Sequence, residues 1–336
     1  MASSSAIQTI LTISQDYSIV TTSIIFIFGF IGNLINIIMF TKYKAFRNNQ
    51  CIFYLTVESY ANMGSLILYF VLGVSAFLYG FDLSQYSSIW CKLRTIIGQT
   101  LLLIVLSSVC FAAFDQYLST NYSLYLRQQS TMSLARRLVI TAICFSLFHS
   151  VLFGVFFYAK PRGGCIAYYT VFVQYYSYFF YPFLCGFIPI LISGSIGLLA
   201  YRNVRRIVRR HLPIVQRRLD QQLTKFVLIR VSFLIILLIP VVTYRIYAMN
   251  INIDPNNSMR LAIEKLIFTI INSIFDLNYA VNFYIFSISS SRYRRQVKYI
   301  LIKKCWLQLK RRFYFNRNQI EPSMTLPIPS IELLNE

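Results

Sequence analysis

The chain has 336 residues, of which 57% are apolar, 17% aromatic and only 13% charged, and its formal net charge is +21. Soluble globular domains carry about 25% charged residues, so this composition is typical of a membrane protein. A nucleic-acid-binding protein with the same excess of Lys and Arg would place it on a polar, water-soluble fold, which such an apolar sequence does not encode.

Seven apolar runs in the sequence are long enough to cross a bilayer. A helix needs roughly 20 residues to cross about 30 Å of hydrocarbon. The runs are continuous rather than alternating, which indicates helices and not the strands of a membrane barrel. The sequence therefore predicts an all-α membrane protein, a seven-transmembrane helix bundle, with spans near residues 18–41, 51–79, 92–118, 134–158, 173–201, 222–249 and 261–288.

Lysine and arginine are unevenly distributed between the two sides of these spans. Twenty-four of the 32 lie on one side and six on the other. The positive-inside rule therefore predicts a cytoplasmic C-terminus and an extracellular N-terminus, in a multi-pass protein of the plasma membrane. Most of the net charge would then face anionic membrane lipids. The first 17 residues hold no basic segment of the kind that begins a signal peptide, so no cleavage is expected.

Four segments follow from this topology: an extracellular N-terminus (1–17), the seven-transmembrane domain (18–288), an amphipathic helix on the membrane surface (289–306) and a disordered cytoplasmic tail (307–336). The amphipathic helix is predicted because four apolar residues form one stripe opposite a row of basic residues. These four are Tyr293, Val297, Ile300 and Leu301.

The seven cysteines divide according to the predicted topology. Cys91 and Cys165 both lie on the outer, oxidising side, so we predict a disulfide between them. Cys305 follows the last span and is a candidate for palmitoylation. The other four fall within spans, where small buried apolar side chains are expected rather than metal ligands. No metal site and no cofactor is predicted. Asn256 begins a glycosylation sequon in a short outer loop close to the membrane.

Short motifs recur along the spans in a fixed order: Gly32-Asn33 in the first, Tyr54-Leu55-x-x-x-Ser59-x-Ala61-Asn62 in the second, Cys91 and Asp115-Gln116-Tyr117 in the third, Pro189 in the fifth, Pro240 in the sixth and Asn278-x-x-x-Asn282-Phe283-x-x-Phe286 in the seventh. This order and spacing resemble the rhodopsin-like (class A) G-protein-coupled receptors. The resemblance covers about residues 15–305 and implies that Asn33, Asp115, Tyr117, Pro240 and Phe286 belong to the signalling switch.

The chain departs from that family at its switch residues, as a divergent branch would. Asn62 stands where the family has an aspartate, which makes a sodium site doubtful, and Gln116 replaces the arginine that engages the G protein. The family's Cys-Trp-x-Pro is Leu237-Leu238-Ile239-Pro240 here. Its Asn-Pro-x-x-Tyr is Asn282-Phe283-Tyr284-Ile285-Phe286. The resemblance implies an acidic partner for position 116 at Asp220, where only a hydrogen bond remains for Gln116.

Three ionisable residues fall within the predicted bilayer core: Glu58, Arg230 and Asp276. Charges at this depth are costly, so each is by default a functional candidate. Glu58 and Arg230 lie at similar depths, and we hypothesise an ion pair between them that sets the resting state in place of the missing arginine contact. In the alternative, Arg230 extends to the inner interface and Glu58 is protonated. Asn33, Asn62, Asn278 and Asn282 are predicted to form a polar seam beside the pair.

The outer half of the bundle is expected to hold a ligand. Register with the family points nine side chains into a central cavity: Gly98, Gln99, Leu102, Val241, Val242, Arg245, Phe268, Asn272 and Asp276. Gly98 stands where amine receptors carry an aspartate. Arg245 and Asp276 suit the opposite charges of a peptide, so the sequence favours a peptide over an amine.

The resemblance implies a receptor that converts binding of an extracellular ligand into a movement of the sixth helix recognised by a heterotrimeric G protein. Membrane lipids are further expected partners and nucleic acid is not. No enzyme is predicted, because the chain has only two histidines, no nucleophile–base motif and no phosphate loop. Two alternatives stay open: a receptor-like scaffold without G-protein coupling, suggested by Gln116, and a multi-pass transporter, against which no internal repeat is found.

Overall fold

The computed structural model describes residues 2–47, 49–79, 87–160, 164–167, 169–207, 214–251 and 257–299. Long helices dominate these residues, and short helices connect some of them. The helices are α1 (Ala2–Lys42), α2 (Lys44–Arg47), α3 (Gln50–Tyr79), α4 (Ser88–Ser119), α5 (Leu124–Gln129), α6 (Met132–Val155), α7 (Thr170–Gln174), α8 (Ile188–Ile207), α9 (Ile214–Asn250), α10 (Ser258–Ala280), α11 (Asn282–Ser289) and α12 (Ser291–Lys298).

Six helical segments of the described chain are long and apolar enough to cross a membrane. They are Ser5–Lys42, Gln50–Tyr79, Ser88–Ser119, Met132–Val155, Thr170–Arg205 and Gln221–Ala248. A seventh is obtained if α10 and α11, which meet at a bend of 53°, count as one span. The prediction of a helical, multi-pass membrane protein is therefore confirmed at this level.

Polar side chains fix where several of these helices begin. The hydroxyl of Ser87 accepts a hydrogen bond from the backbone N–H of Trp90 ahead of α4, and Thr131 caps α6 in the same way through Leu134. Asn257 caps α10 through the N–H of Arg260. Each cap satisfies a backbone donor that the first helical turn leaves without a partner.

A two-stranded antiparallel hairpin corrects the all-α prediction in one place. Strand β1 (Phe157–Lys160) pairs with β2 (Gly164–Ala167), with Ala159 opposite Cys165. The prediction extended the fourth span to residue 158, whereas α6 ends at Val155. Aromatic runs such as Phe156-Phe157-Tyr158 suit a buried helix and a strand equally well, so periodicity does not separate the two.

The fifth span is also less regular than the continuous helix predicted over 173–201. A π-helical segment, Tyr175–Phe187, lies between α7 and α8 and contains Pro182. Proline cannot donate a backbone hydrogen bond, and π-helical turns are frequent at functional sites. Phe180 is fully buried in this segment, with its ring centroid 5.1 Å from that of Phe153 on α6.

Close packing of α1 against α10 depends on a glycine. A Cβ added at Gly29 would lie 2.9 Å from the Cβ and 3.2 Å from the Cα of Ala280. One turn along α1, the side-chain amide of Asn33 donates hydrogen bonds of 2.8 Å to the carbonyls of Gly29 and Tyr279. The seventh predicted span, 261–288, breaks at Val281 just beyond this contact.

The two ends of the chain differ from the predicted segments. Helix α1 begins at Ala2 rather than near residue 18, and its 41 residues extend about 60 Å, well beyond a bilayer's hydrocarbon thickness.

The chain divides into a unit of residues Met1–Ser290 and a second unit from Ser291. In the second, α12 covers eight residues of the predicted 289–306 helix and exposes Arg294, Arg295 and Lys298. Asn256 and Cys305 lie outside the described residues, as do residues 307–336.

We predict that Gly29→Ala lowers the apparent Tm of the purified protein by a few degrees. The new methyl group would displace the backbone of α10 at Ala280, and overpacking of this kind costs about 1–3 kcal/mol. Gly194→Ala in α8 is the matched control, because a Cβ there meets nothing within 4 Å and gains only helix propensity. Thermal unfolding in detergent measures both variants, and an unchanged Tm for Gly29→Ala would contradict the close contact.

Candidate functional site

The two ends of α4 define two levels in the bundle. Cys91 lies at its start and is bonded to Cys165 of the hairpin, with 5.5 Å between the Cα atoms, which confirms the predicted disulfide. Asp115 and Gln116 lie near its last turn. The 24 residues from Cys91 to Asp115 extend about 36 Å. We call these levels the disulfide end and the Gln116 end.

A cavity of about 680 Å³ lies at the disulfide end, bounded by α3, α4, the hairpin, the π-helical segment, α9 and α10. Cys165, Ile166 and Ala167 of β2 contribute to its wall, so the disulfide holds the hairpin against α4 beside the cavity. The structure brings all nine predicted ligand residues to it: Gly98, Gln99, Leu102, Val241, Val242, Arg245, Phe268, Asn272 and Asp276. Their role in binding stays a prediction.

Arg245 supplies a positive charge to this cavity. Its guanidinium carbon lies 4.7 Å from the ring centroid of Tyr181 and 5.4 Å from that of Phe268. Such cation–π contacts orient the guanidinium and leave its N–H groups available to an acceptor. Its Nε is buried and has no hydrogen-bond partner among the described residues.

Asp276 supplies the opposite charge from α10. Its carboxylate lines the same cavity but makes no ion pair with Arg245 and no hydrogen bond within the described part of the chain. The amide nitrogen of Gln99 is likewise buried without a partner there. Charged and polar groups that are partly withdrawn from bulk water are costly unless a partner compensates them. The cavity therefore suits a molecule with both an anionic and a cationic group.

Sequence reasoning missed two ionisable residues at this end. Arg94 lines the cavity four residues before Gly98. Glu264, four residues before Phe268, is 9% exposed and accepts hydrogen bonds from the hydroxyls of Tyr247 at 2.7 Å and Tyr244 at 3.3 Å. The four-residue spacing that puts side chains on one helical face was the signal that would have found both.

A charged cluster lies deeper in the bundle, between α3, α9 and α10. Arg230 donates from Nε and Nη2 to Oε1 of Glu58, at 2.9 and 2.7 Å, and from Nη1 to Oδ1 of Asn278 at 2.8 Å. Arg230 and Glu58 are 1% and 0% exposed. The geometry agrees with the hypothesised pair and not with the alternative, in which Arg230 extends to the interface. A role in the resting state stays a prediction.

The predicted polar seam is present only in part. Asn33 makes its two hydrogen bonds to backbone carbonyls, whereas both amide atoms of Asn62 are buried without a partner in the described chain. Oδ1 of Asn282 and Nδ2 of Asn278 are also buried without a hydrogen-bond partner in the described chain. Asn62 and Asn282, each one helical turn from a member of the charged cluster, and Asn278 within it therefore have side-chain groups that are free to form further hydrogen bonds.

At the Gln116 end, the side chain of Gln116 bonds to Thr224 of α9. Oγ1 of Thr224 donates to Oε1 of Gln116 at 2.9 Å, and both residues are buried. The predicted partner Asp220 lies one turn earlier in α9, and its side chain is outside the described residues. The hydroxyl of Ser130 donates to Oδ1 of Asp115 at 2.6 Å, which ties α4 to the segment before α6.

The remaining predicted switch residues lie on three helices, α4, α9 and α11. The ring centroid of Phe286 lies 3.9 Å from that of Phe226 on α9, and Tyr117 is half-buried on α4. Pro240 lies inside α9, between Arg230 and the cavity residue Arg245.

No protein-family model matches the chain, and a search of curated proteins finds no match. A functional proposal therefore rests on this geometry and on the sequence motifs.

We predict that loss of the disulfide loosens the cavity wall. Cys165→Ala should lower the free energy of unfolding by about 2–5 kcal/mol, because the bond closes a loop of 74 residues. Cys144→Ala is the control, since this free cysteine is exposed on α6. Thermal unfolding with and without reductant gives the result, and a reductant-insensitive Tm in the unmodified protein would contradict a stabilising role.

Proposed function

We propose that this protein is a plasma-membrane, seven-transmembrane receptor of the rhodopsin-like type, with its disulfide end outside the cell. A ligand binds in the cavity and favours a conformation in which the half of α9 at the Gln116 end moves outward. A heterotrimeric G protein recognises that conformation at the basic cytoplasmic side. The mechanism is a shift between two populations and involves no covalent chemistry.

The observation that carries this proposal is the convergence of nine residues on one cavity. Register with the receptor family points to these positions on three different helices, and all nine line the same space. Helices arranged in another order would scatter these positions over the bundle surface. The disulfide between the start of α4 and the hairpin beside the cavity is a second, independent agreement with the family pattern.

The charges of the cavity support a peptide ligand over an amine. An amine receptor needs a carboxylate on α4, and the corresponding position is Gly98, which lines the cavity without a side chain. A peptide carries both carboxylate and ammonium groups, which Arg245 and Asp276 match in sign. A volume of about 680 Å³ is typical of a small-molecule site, so it accommodates the end of a peptide chain rather than a folded domain.

One specific observation supports a second candidate, a receptor-like scaffold that does not activate G proteins. Gln116 replaces the arginine of the family motif, and its side-chain oxygen is already used by Thr224. A neutral amide contributes a weaker contact to a partner than a guanidinium, which is always charged and has five donors. The two candidates differ in one measurable property, ligand-dependent G-protein activation.

We expect cells that express the chain to give cAMP or calcium responses to members of a peptide library. Gln116→Arg is tested beside the unmodified chain and should retain or strengthen the response, because the added guanidinium provides charge-assisted hydrogen bonds. Cells without the chain are the control. Binding without any G-protein signal would favour the scaffold, and electrogenic substrate flux without G protein would favour a transporter.

We expect the two cavity charges to affect peptide potency separately. Arg245→Gln should reduce the potency of an active peptide by about 10- to 100-fold, because a hydrogen bond to a charged group contributes about 1.5–3 kcal/mol. Removal of the peptide's carboxylate by amidation should give a similar loss in the unmodified protein and little further loss in the variant. Asp276→Asn is paired in the same way with a peptide that lacks its ammonium group.

The matched control for these variants is Thr243→Ala, an exposed residue on the same helix that faces away from this cavity. Equal potency losses for Thr243→Ala and Arg245→Gln would contradict a specific charge contact. Intact-cell labelling of a tag on each terminus tests the proposed orientation: only the N-terminal tag should be labelled.

A further inference from the structure

The contact between Arg230, Glu58 and Asn278 joins three helices at one buried point. Arg230 belongs to α9, Glu58 to α3 and Asn278 to α10, and all three are at most 1% exposed. Each of the three guanidinium nitrogens donates a hydrogen bond of 2.7–2.9 Å. Movement of α9 relative to either neighbour would therefore separate a buried charge from its partners.

Pro240 separates this tied half of α9 from the half that lines the cavity. Before Pro240, the helix is also held by Thr224 through Gln116 and by Gln222 through Ser290. After it, Val241, Val242 and Arg245 line the ligand cavity. Proline removes one backbone hydrogen bond from the helix and makes it a natural pivot between two halves.

Helix α10 offers a direct route from the cavity to the cluster. Asp276 lines the cavity, and Asn278, which accepts the hydrogen bond from Arg230, follows two residues later on the same helix. A ligand that displaces Asp276 also displaces Asn278, because two residues of one helical turn move together. The cluster is thus in a position to respond to the state of the cavity.

We propose that Glu58, Arg230 and Asn278 form a latch that holds α9 in its resting position and that ligand binding releases through α10. This inference rests on the proposed receptor function for its trigger, although the latch itself is a property of the bundle. Arg230 and Glu58 form the main contact, and Asn278 connects the pair to the cavity.

The released state has hydrogen-bond partners available for Glu58. Asn62 lies four residues after Glu58 on the same face of α3, and both atoms of its side-chain amide are buried without a partner in the described chain. Nδ2 of Asn278 is also unused there. The Glu58 carboxylate would accept hydrogen bonds from these amide N–H groups when Arg230 leaves, so that the cluster has two arrangements rather than one. Such bistability is what a conformational switch requires.

A double-mutant cycle tests the energetic coupling. Arg230→Met and Glu58→Leu each leave a buried charge without its partner and should lower the apparent Tm by roughly 5–10 °C, whereas the double variant removes both charges and should recover most of the loss. Ser232→Ala is the matched control on α9, because this exposed hydroxyl bonds only to its own helix at Leu228. Strictly additive losses, with no coupling, would overturn the latch.

A distance measurement between α9 and the end of α4 tests whether the cluster holds α9 in position or only stabilises the folded bundle. Spin labels are placed at two exposed positions at the Gln116 end, Lys225 on α9 and Tyr122 after α4. The background replaces the cysteines other than Cys91 and Cys165 by alanine: Cys51, Cys110, Cys144, Cys185 and Cys305. In the stable double variant Glu58→Leu/Arg230→Met, the population with the longer distance should rise about 10-fold or more, because a charged contact no longer favours the resting state.

The two measurements also distinguish this inference from the proposed function. A distance distribution that is identical in the double variant and in the Ser232→Ala control would overturn the latch, whatever the signalling result. A shifted distribution supports the latch. If no G-protein signal accompanies the shift in any variant or with any peptide, the latch stands and the receptor proposal fails.

Discussion

The structure depends on how a membrane-embedded bundle accommodates the charge of Arg230. This is the largest side chain among the fully buried residues of the described chain, and only 1% of it is exposed. Removal of its partner would cost about 3–5 kcal/mol, so Glu58 must face it. Because the guanidinium is a planar fork with fixed donor directions, three hydrogen bonds also fix the relative register of α3, α9 and α10.

Helices α9 and α10 carry a second pair of opposite charges, which form no ion pair with each other in the described chain. Arg245 and Asp276 line one cavity, yet each lacks an ion pair in the described chain, and Arg245 is held only by the faces of two aromatic rings. A bundle selected for stability alone would pair or remove these charges, as it pairs Arg230 with Glu58. The contrast between the paired Arg230 and Glu58 of α9 and α3 and the unpaired Arg245 and Asp276 of α9 and α10 supports the proposal that a ligand binds between the unpaired charges.

Features that follow from helical period and depth could be predicted from the sequence. Hydropathy and length give the long helices, and depth along two helices is enough to bring Glu58 and Arg230 together. The four-residue period extends the cavity wall from Leu102 to Gly98, and it would also have reached Arg94. Features set by packing between elements could not be predicted: the hairpin after Val155, the π-helical segment around Pro182 and the break at Val281. Each depends on where a neighbouring helix or strand lies, which no local pattern records.

If α9 moves as proposed, the contact at Arg230 resists that movement nearer to the cavity than the contact at Gln116 does. In the resembling family, a charged contact of the third helix holds the end of the sixth. Here Gln116 and Thr224 leave a neutral hydrogen bond at that place, which contributes about 1 kcal/mol. A charged contact lies at Arg230, ten residues and about 15 Å from Pro240, whereas Thr224 is 16 residues and about 24 Å away. A contact nearer the pivot separates less for a given rotation, so it must be short-ranged and strong to hold the helix. A buried, threefold hydrogen-bonded guanidinium meets that requirement, and a surface contact would not.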